Sequence, residues 1–317
     1  MTASIPDAND FETVPCYHCG GTACTDFVIG QDDLTGQPGS FQFVTCSDCG
    51  LAFQNPRLTV ERIKDYYDEE YIAHRKKTNW GVLTPFYNRA MDKHDQQKDK
   101  LVSRYVDLKR HSKVLDVGCG AGTFLTKMAS RYGAQLTGVD FKDLSQLPGF
   151  DQIDFRCGLF YEQQFGEELF DLITMWHFLE HDYDPVRTLQ TARDLLQPDG
   201  RLVIEVPRLD CVTWRMYRER WPGLQAPQHT VLYDKKMLLE FMDRAGLELV
   251  EYLPYGAFPS YFYIFAGLAF KFLKGQGLNL SKAIYPYFAG QLLLSPILLF
   301  EHKLNLAMQT VVCRRPA

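Results

Sequence analysis

The spacing of hydrophobic and polar positions divides the chain into three stretches. The first 55 residues are rich in Gly, Thr, Asp and Cys and have no helical periodicity, which predicts a small loop-rich module. Residues 57–110 alternate charged and aromatic side chains, a pattern typical of amphipathic helices. From Lys113 onward, strand-like runs such as Val114–Val117 alternate with helix-period stretches such as Phe124–Tyr132. This alternation predicts an α/β fold in which helices cover a doubly wound parallel sheet.

The same pattern sets the limits of four units. Asp184-Pro185 is a good N-cap and first-turn pair for a helix, and the last two strands are predicted at Leu247–Leu253 and Leu306–Cys313. Two apolar segments, Phe258–Leu273 and Ala283–Phe300, lie between these strands. We expect an N-terminal module (1–55), a helical connector or cap (56–110), a core (111–254 with 305–317) and a hydrophobic helical insertion (255–304).

The composition is that of an ordinary globular protein, with 46% hydrophobic and 23% charged residues. Lys and Arg number 34 and Asp and Glu 39, so the formal net charge of -5 gives no overall attraction for nucleic acid. We therefore expect a small-molecule substrate. The N-terminus lacks the features of a signal peptide, which predicts a reducing cytoplasmic location. There the nine cysteines are expected to be metal ligands or buried thiols and not disulfides.

Four of the cysteines form two identical C-x2-C-G pairs. In each pair the glycine lets the backbone turn so that amide N–H groups can face the thiolates. Four thiolates suit tetrahedral zinc and leave no open coordination position, which predicts a structural zinc ion. The alternative of four free thiols does not explain how a segment so poor in core residues folds. The predicted zinc ligands are Cys16, Cys19, Cys46 and Cys49.

A glycine-rich turn follows the first strand of the predicted sheet and opens a helix. An acidic residue lies two positions before its first glycine, and Thr123 stands where a dinucleotide-binding turn requires its third glycine. A second acidic residue ends the next strand, where it can accept hydrogen bonds from ribose hydroxyls. Together these features favour S-adenosylmethionine over a nicotinamide dinucleotide, the alternative being a turn that serves only packing. The residues concerned are Asp116, Gly118, Gly120, Gly122 and Asp140.

Further motifs accompany the glycine turn along most of the chain. They are Asn55-Pro56-Arg57, Tyr66-Tyr67-x3-Tyr71, Leu179-Glu180-His181-x2-Asp184-Pro185 and Pro227-x-His229, together with the cysteine pairs. With them the chain resembles class I S-adenosylmethionine-dependent methyltransferases, and specifically a bacterial subfamily with an N-terminal zinc ribbon. The resemblance implies a seven-stranded Rossmann-like sheet, with the glycine turn at the methionine end of the cofactor and Asp140 at its ribose. Where many members place an acidic residue against adenine, this chain has Leu159, which implies either a more apolar contact or recognition through the backbone.

Chemistry is expected at the carboxyl end of the fourth strand, because ligands bind at this edge of open α/β sheets. Trp176, a predicted cofactor contact, is followed there by His177, Glu180 and His181. General acid/base or substrate-orienting chemistry is one role for His181 or His177, and a structural hydrogen bond from Glu180 or His181 is another. A third comes from similar ubiquinone-pathway O-methyltransferases, whose Glu-x-x-Glu-His run binds a divalent metal, although here the first ligand differs. His229 is expected either to line the substrate site or to cap the following helix.

Four arginines follow the fifth strand and suit either an anionic group on the substrate or a solvated helix face. They are Arg208, Arg215, Arg218 and Arg220. The insertion at 255–304 is expected over the substrate pocket, because the sixth and seventh strands of this fold connect at the cofactor end of the sheet. It would act as a lid or homodimer surface, as a peripheral hairpin docking at the inner face of the membrane, or as a true membrane insertion.

The predicted function is S-adenosylmethionine-dependent methyl transfer to an oxygen or carbon of a small molecule. Sugars, secondary metabolites and lipid-linked intermediates are the substrate classes considered. One alternative is a non-catalytic cofactor-binding scaffold that recruits a partner through its zinc ribbon. Another is an RNA methyltransferase, which would need a basic ribbon, whereas no lysine or arginine precedes Arg57.

Overall fold

The computed structural model describes residues 4–67, 84–278 and 280–316 of the chain. Tyr71 of the tyrosine motif and much of the expected connector lie outside these ranges. The N-terminal elements are β1 (Phe11–Glu12), β2 (Cys24–Gly30), β3 (Phe41–Cys46), β4 (Ala52–Gln54), β5 (Arg57–Leu58), α1 (Val60–Ile63) and α2 (Thr84–Val102). The elements that follow are β6 (Lys113–Val117), α3 (Thr123–Tyr132), β7 (Gln135–Asp140), β8 (Ile153–Cys157), β9 (Phe170–Trp176), α4 (Pro185–Asp194), β10 (Leu196–Pro207), α5 (Val212–Tyr217), β11 (Val231–Leu232), α6 (Lys235–Arg244), β12 (Glu248–Leu253), α7 (Ser260–Leu273), α8 (Leu280–Leu298) and β13 (Met308–Arg314).

The central sheet has the order β12-β13-β10-β9-β6-β7-β8 within the described residues. Strand β13 runs antiparallel to both of its neighbours, and the other six strands run parallel to one another. Strands β6 and β9 are almost wholly buried, as expected for apolar runs covered by helices on both faces. The α/β, doubly wound, seven-stranded fold predicted from the sequence is confirmed.

The register of the sheet brings three chain segments to one edge. Asp116 on β6 lies opposite Thr174 on β9 and Gly138 on β7. The glycine turn leaves β6 at this edge, beside Asp140 at the end of β7 and Trp176 at the end of β9. From β6 the chain continues through β7 to β8 on one side, and it then crosses back to β9 on the other side of β6, which opens a crevice at the carboxyl ends of the strands.

The N-terminal module contains a second sheet of order β11-β4-β3-β2. Strands β2 and β3 form a hairpin between the two cysteine pairs. Strand β11 follows β10 in the core and pairs antiparallel with β4, Val231 opposite Phe53 and Leu232 opposite Ala52. Phe53 and other buried residues of the module pack in one hydrophobic cluster with side chains of α4 and α6. The module and the central sheet therefore share a core.

The connector ends in α2, which packs on α3. The Tyr132 hydroxyl donates to the Asp99 carboxylate at 2.7 Å, and Arg131 pairs with the same carboxylate. Lys127 Nζ lies 2.9 Å from Asp92 Oδ1. These contacts hold α2 beside the glycine turn, from which α3 begins.

The insertion between β12 and β13 is a helical hairpin of α7 and α8. Helix α7 packs on α5, with Gly267 against the ring of Tyr217, where a Cβ atom would overlap the ring. The Tyr217 hydroxyl donates to the Ile264 carbonyl at 2.8 Å. Helix α8 contains Pro286 and Pro296. Across the described ranges, no helix is both long enough and apolar enough to cross a bilayer.

The turn of this hairpin contacts the loop between β2 and β3. The Leu278 N–H donates to the Leu34 carbonyl at 2.9 Å. Gly36 and Gly277 have φ of 76° and 77°, and a Cβ on either would meet backbone of the other loop at under 3.0 Å. The N-terminal module thus contacts the insertion as well as the core.

Candidate functional site

A cavity of about 880 Å³ opens at the carboxyl edge of the central sheet. The glycine turn and the ends of β7 and β9 line one side, while α2, α7 and the loops after β9 and β10 form the walls. Of the predicted site residues, those in the lining are Asp116, Gly118, Gly120, Asp140, Leu159, Trp176, His177, His181 and His229. Gly122 and Glu180 are chain neighbours of lining residues. The cavity is large enough for a cofactor together with a small acceptor.

The glycine turn is held in a left-handed backbone conformation. Gly118, Gly120 and Gly122 have φ of 73°, 50° and 68°, which other residues rarely adopt. A Cβ atom at Gly118 would lie 2.6 Å from the ring of Phe178. The Gly120 N–H donates to Asp140 Oδ2 at 3.0 Å. The turn and the second acidic residue therefore form one unit at the edge of the sheet.

A buried acidic and aromatic environment lies beside this turn. Burial raises the pKa of Asp116 to about 7, against the attraction of Lys98 and a hydrogen bond of 2.6 Å that the Thr174 hydroxyl donates. Lys98 Nζ lies 5.3 Å from the centre of the Trp176 ring and 3.9 Å from Asp95 Oδ1. Carboxylates and an aromatic face that hold an ammonium group also suit the ammonium and sulfonium groups of S-adenosylmethionine.

Three residues of α2 that the sequence analysis did not single out line the cavity: His94, Asp95 and Lys98. With Met91, which also lines it, they are spaced i, i+3, i+4 and i+7, the pattern of one helix face. This spacing in the sequence could have indicated that the four residues share one face of a helix. The ring of His94 packs edge-on against Phe258 at 5.4 Å, and burial lowers the pKa of His94 well below its ordinary value.

The end of the cavity near β8 is apolar. Its lining includes Leu159, Phe160, Phe141 and Leu147. The turn after β8 contributes residues 158–161 to the lining, and none of these four is acidic. The apolar contact between Leu159 and adenine stays a prediction.

His177 leaves β9 with φ of 54° and lies between two buried carboxylates. Its Nε2 is 3.2 Å from Glu205 Oε1, and its Nδ1 is 3.6 Å from Glu180 Oε1. Burial disfavours a charge on this ring, but the two carboxylates outweigh burial and raise the pKa of His177 to about 9. At neutral pH His177 is therefore a cation, which is poorly suited to accept a proton.

Glu205 also connects this end of the cavity to the insertion. Its carboxylate accepts hydrogen bonds from the N–H groups of Ala257 and Phe258, the second at 3.0 Å. The ring of His177 packs edge-on against Phe258 at 4.9 Å. Sequence analysis did not assign Glu205 a role, although a glutamate inside an apolar strand is itself an indication of a buried polar contact.

Glu180, His181 and His229 meet where the turn after β9 contacts the loop before β11. The Thr230 N–H donates to the Glu180 carbonyl at 2.7 Å, which ties the two segments together. One candidate ligand atom from each of the three side chains lies within 4.8 Å of the other two. Asp234, and not His229, caps α6. His229 is instead buried in the wall of the cavity.

Hydrogen bonds orient both of these imidazole rings. His181 Nδ1 is 3.0 Å from the Gln228 carbonyl oxygen and 2.9 Å from the Tyr67 hydroxyl, and His229 Nδ1 is 2.8 Å from the Gly223 carbonyl oxygen. Because a carbonyl oxygen only accepts, each Nδ1 carries the hydrogen and each Nε2 carries the lone pair in the neutral ring. Burial and the neighbouring His181 lower the pKa of His229 well below its ordinary value, so this ring stays neutral.

The predicted zinc ligands form a separate cluster outside the cavity lining. The four Sγ atoms lie within 4.8 Å of one another, and two of their separations are 3.5 Å. Burial acts to raise the pKa of Cys46, but the N–H groups of Cys49 and Asp48, together with contacts from neighbouring thiols, outweigh it and lower the value to about 7. Cys24 lies opposite Cys46 in the β2–β3 hairpin and is not part of the group. The donor set and its spacing fit a tetrahedral zinc ion.

The four arginines after β10 are not among the described residues that line the cavity. Arg208 Nη2 lies 2.6 Å from Asp210 Oδ2, and Arg220 Nη1 lies 2.6 Å from Asp33 Oδ1. Two of the four arginines are therefore paired with carboxylates of the protein itself. The arginine cluster therefore gives no support to an anion site at the rim.

Residues 87–252 match the family model described as a methyltransferase domain. Two similar curated proteins carry the name ubiquinone biosynthesis O-methyltransferase. The one from Idiomarina loihiensis is 32% identical over 152 residues (43% of this chain, 61% of that protein), and the one from Histophilus somni is 31% identical over 153 residues (43% and 64%). The chain thus spans less than two thirds of the length of these relatives.

Among solved structures, the fold is similar to that of phosphoethanolamine N-methyltransferase 2 from Haemonchus contortus in complex with phosphomonomethylethanolamine and S-adenosylhomocysteine. The TM-score is 0.52 at 15% identity, with 84% of this chain and 63% of that chain covered, which is a likeness of fold alone. The family model, by contrast, spans more than half of the chain, and it covers the glycine turn and the strands that form the cavity. The chain belongs to the methyltransferase domain family, and its core has the class I S-adenosylmethionine-dependent architecture.

Proposed function

We propose that this protein transfers a methyl group from S-adenosylmethionine to an oxygen or carbon atom of a small, largely apolar molecule. The observation that carries the proposal is the continuity of one cavity. It extends from the glycine turn and Asp140, past Trp176, to His181, His229 and the aromatic side chains of α7. Cofactor and acceptor would share one enclosed space, which an in-line transfer requires.

Each part of the cofactor has a matching part of the cavity. S-adenosylmethionine supplies, when bound, a methyl group on an activated sulfonium. The Asp140 carboxylate would accept hydrogen bonds from the ribose, and the glycine turn would let the methionine part approach the backbone. Asp116 and Trp176 suit its positively charged groups, and the apolar wall at Leu159 suits adenine.

Two features favour a hydroxyl acceptor. The curated relatives are named as O-methyltransferases, so the transfer in those proteins is to oxygen. In this chain, the imidazoles of His181 and His229 line the cavity, and the buried Glu180 carboxylate lies within 4.8 Å of them. Imidazoles beside the acceptor could take its proton. His177, as a cation held by Glu205, would orient this group and would not act as its base.

The inner face of α7 supports an apolar acceptor. Phe262, Tyr263 and Phe270 of α7, together with Phe258 just before the helix, line the cavity with aromatic surface. Aromatic rings of this kind favour a substrate that has little charge and a large apolar area.

The outer face of the hairpin supports a lipid-linked acceptor presented at an anionic membrane surface. Phe272, Leu292 and Leu293 are 79%, 77% and 78% exposed. Residues 255–304 contain four lysines and one glutamate, a formal charge of +3 in a chain whose total is -5. Exposed apolar side chains with basic neighbours suit the headgroup region of anionic bilayers. The protein would then work peripherally at that surface.

The cysteine cluster would hold a structural zinc ion. Four thiols within 4.8 Å of one another leave no position for substrate, so the ion would stabilise the N-terminal module and take no part in the reaction.

Label transfer tests the proposed reaction. Purified protein is incubated with methyl-labelled S-adenosylmethionine and a series of phenolic acceptors that differ only in the length of an apolar tail. We expect label on the acceptor hydroxyl, with kcat/KM rising with tail length. Asp140→Ala should make the binding free energy of S-adenosylmethionine about 1 to 3 kcal/mol less favourable, because the ribose hydroxyls lose their acceptor.

Asp143→Ala is the matched control, since the Asp143 carboxylate lies in the loop that follows Asp140, outside the cavity lining, and accepts hydrogen bonds from Ser145. Calorimetry that gives Asp140→Ala the affinity of the wild type would remove Asp140 from the site. Intact cofactor binding with no transfer to any acceptor, including metabolite fractions from cell extract, would favour a non-catalytic scaffold.

A further inference from the structure

The cavity continues from the edge of the sheet into a second part, which we call the distal arm. Its walls are the loop that joins β2 to β3, the segment 219–225 after α5 and the inner face of α7, all of which contribute lining residues. A series of ring contacts follows its course. The ring of Phe258 lies 4.9 Å from that of His177 and 6.1 Å from that of Tyr263, and Tyr263 lies 6.2 Å from the Trp221 ring. The N-terminal module therefore lines the same cavity as the glycine turn.

Contacts on two sides hold the β2–β3 loop in this position. Arg220 Nη1 lies 2.6 Å from Asp33 Oδ1 and 3.1 Å from Gln31 Oε1, which ties the loop to the segment after α5. The Leu278 N–H donates to the Leu34 carbonyl at 2.9 Å, which ties the loop to the turn of the α7–α8 hairpin. The loop is thus fixed as a wall of the distal arm by both of its neighbours.

The walls of the distal arm are mainly apolar. Trp221, Leu224 and Phe270 line it and are 2%, 2% and 3% exposed. Leu34, from the N-terminal module, also lines it and is half-buried. An enclosed apolar space of this kind gains free energy by taking up apolar surface from water.

The charged residues that line the distal arm, among the described residues, are Asp33 and Glu219. Both are acidic, and Asp33 is already paired with Arg220. A carboxylate or phosphate entering the arm would lose its hydration and meet no unpaired cation in the lining. The arm therefore suits an uncharged apolar group.

We propose that the distal arm binds the end of an apolar tail on the acceptor, and that Leu34 sets the tail length that the enzyme accepts. This inference rests on the proposed methyl transfer and gives the substrate class more closely: an acceptor with a long apolar tail that carries no negative charge at its end. The N-terminal module then determines specificity, in addition to its structural role.

Acceptors with graded tails test the proposal in the full-length protein. For phenolic acceptors that grow by one methylene at a time, kcat/KM should rise about fourfold per methylene and level off where the tail fills the arm. Leu34→Trp adds volume to the wall of the arm, so this plateau should come at a shorter tail. The ratio of kcat/KM for the longest and shortest acceptors should fall at least about tenfold, with the affinity for S-adenosylhomocysteine unchanged in calorimetry.

Ile29→Trp is the matched control, since Ile29 is an exposed residue of β2 outside the cavity lining, and its ratio should equal that of the wild type. An unchanged ratio in a folded Leu34→Trp protein would overturn the role of Leu34.

The charge at the end of the tail gives a second test in the wild type. Tails that end in a carboxylate should have kcat/KM at least about tenfold below tails of the same length that end in a hydroxyl, because the carboxylate would be buried without a partner. Equal values would place the end of the tail in solvent and contradict binding in the distal arm.

Photoaffinity labelling of the wild type keeps the proposal testable if Leu34→Trp does not fold. A phenolic acceptor with a diazirine at the end of its tail is irradiated with the protein and S-adenosylhomocysteine, and the modified peptides are identified by mass spectrometry. We expect label in residues 31–34 or 219–224, whereas label elsewhere or no label would overturn the proposal.

The same experiments separate this proposal from the proposed function. Label in the distal arm, with no methyl transfer to any acceptor, would support the binding arm and refute the reaction. Methyl transfer with the label elsewhere would support the reaction and refute the arm.

Discussion

Several residues at the site have backbone conformations that serve the cavity and not the stability of the chain. The three glycines of the turn and His177 all have positive φ. A left-handed conformation costs a non-glycine residue about 1 to 2 kcal/mol, and at His177 the surrounding contacts hold it in place. The His177 N–H donates to the Glu205 carbonyl at 2.9 Å, and the Glu205 carboxylate holds the His177 ring. The site is therefore rigid where the methyl group would be transferred.

Gly118→Ala should separate the effect of backbone strain from that of close packing. The added Cβ would lie 2.6 Å from the ring of Phe178, so we expect both a loss of stability and a fall of at least about tenfold in cofactor affinity. Gly166→Ala is the matched control, because Gly166 also has positive φ but no atom within 4 Å of the added Cβ. Urea unfolding and calorimetry are the measurements. Equal effects of the two substitutions would mean that strain alone accounts for the loss.

At the residue scale, the sequence allowed a side chain to be placed where it lies near the carboxyl end of a predicted strand. Asp116, Asp140 and Trp176 could be placed at one edge because parallel strands share the direction of their ends. Lys98 and Asp95 could not be placed, since the face that α2 turns toward the cavity depends on its packing on α3. The pairing of Glu205 with His177 is likewise a contact between neighbouring strands that neither local pattern encodes.

At the scale of elements, the helical hairpin of α7 and α8 has two unlike faces. The inner face of α7 packs on α5 and lines the cavity, while the outer surface retains exposed apolar side chains. Its two apolar runs were evident in the sequence, and so was its position between the last two strands. The contact of its turn with Leu34 and Gly36 was not, because it joins segments far apart in the chain.

Replacing Leu292 and Leu293 together by serine should weaken binding to anionic vesicles. Both side chains are largely exposed, so the substitutions should leave folding unchanged while removing apolar area from the docking face. We expect at least about a tenfold fall in partitioning onto phosphatidylcholine vesicles that contain phosphatidylglycerol, measured by cosedimentation.

Ile29→Ser is the control for this experiment, because Ile29 is an exposed apolar residue of the N-terminal module. Wild-type binding by the double variant would exclude the hairpin as the docking surface. If the wild type does not bind vesicles but its mass in solution rises with concentration, and only the double variant abolishes that rise, the same face is a dimer interface.

At the scale of the whole molecule, the N-terminal module is part of the folded unit and not an appendage. Strand β11 completes its sheet, its buried side chains pack with α4 and α6, and one of its loops contacts the hairpin. The hairpin of β2 and β3 could be predicted from the sequence. The contribution of β11 could not, because a two-residue strand has no periodicity and its partner lies far away in the chain.

Loss of zinc should therefore destabilise the whole protein. We expect about one zinc ion per chain, and Cys16→Ser should lose it and lower the unfolding temperature of the entire chain in a single transition. Cys24→Ser is the matched control, since Cys24 is in the same module but outside the cluster. Elemental analysis and thermal unfolding are the measurements. A fully folded wild type without metal would contradict the prediction.

The pairing of β11 with β4 also bears on how the chain folds during its synthesis. Strand β4 leaves the ribosome early, but β11 follows only after β6 to β10 have been made. Until then one edge of the small sheet has no partner, and the buried side chains of the module lack the α4 and α6 residues with which they share a hydrophobic cluster in the folded protein. An unpaired edge of this kind is prone to join another chain. The nascent protein should consequently depend on chaperones or on early metal loading during this interval, and its first segment should reach its final form only when most of the core has been translated.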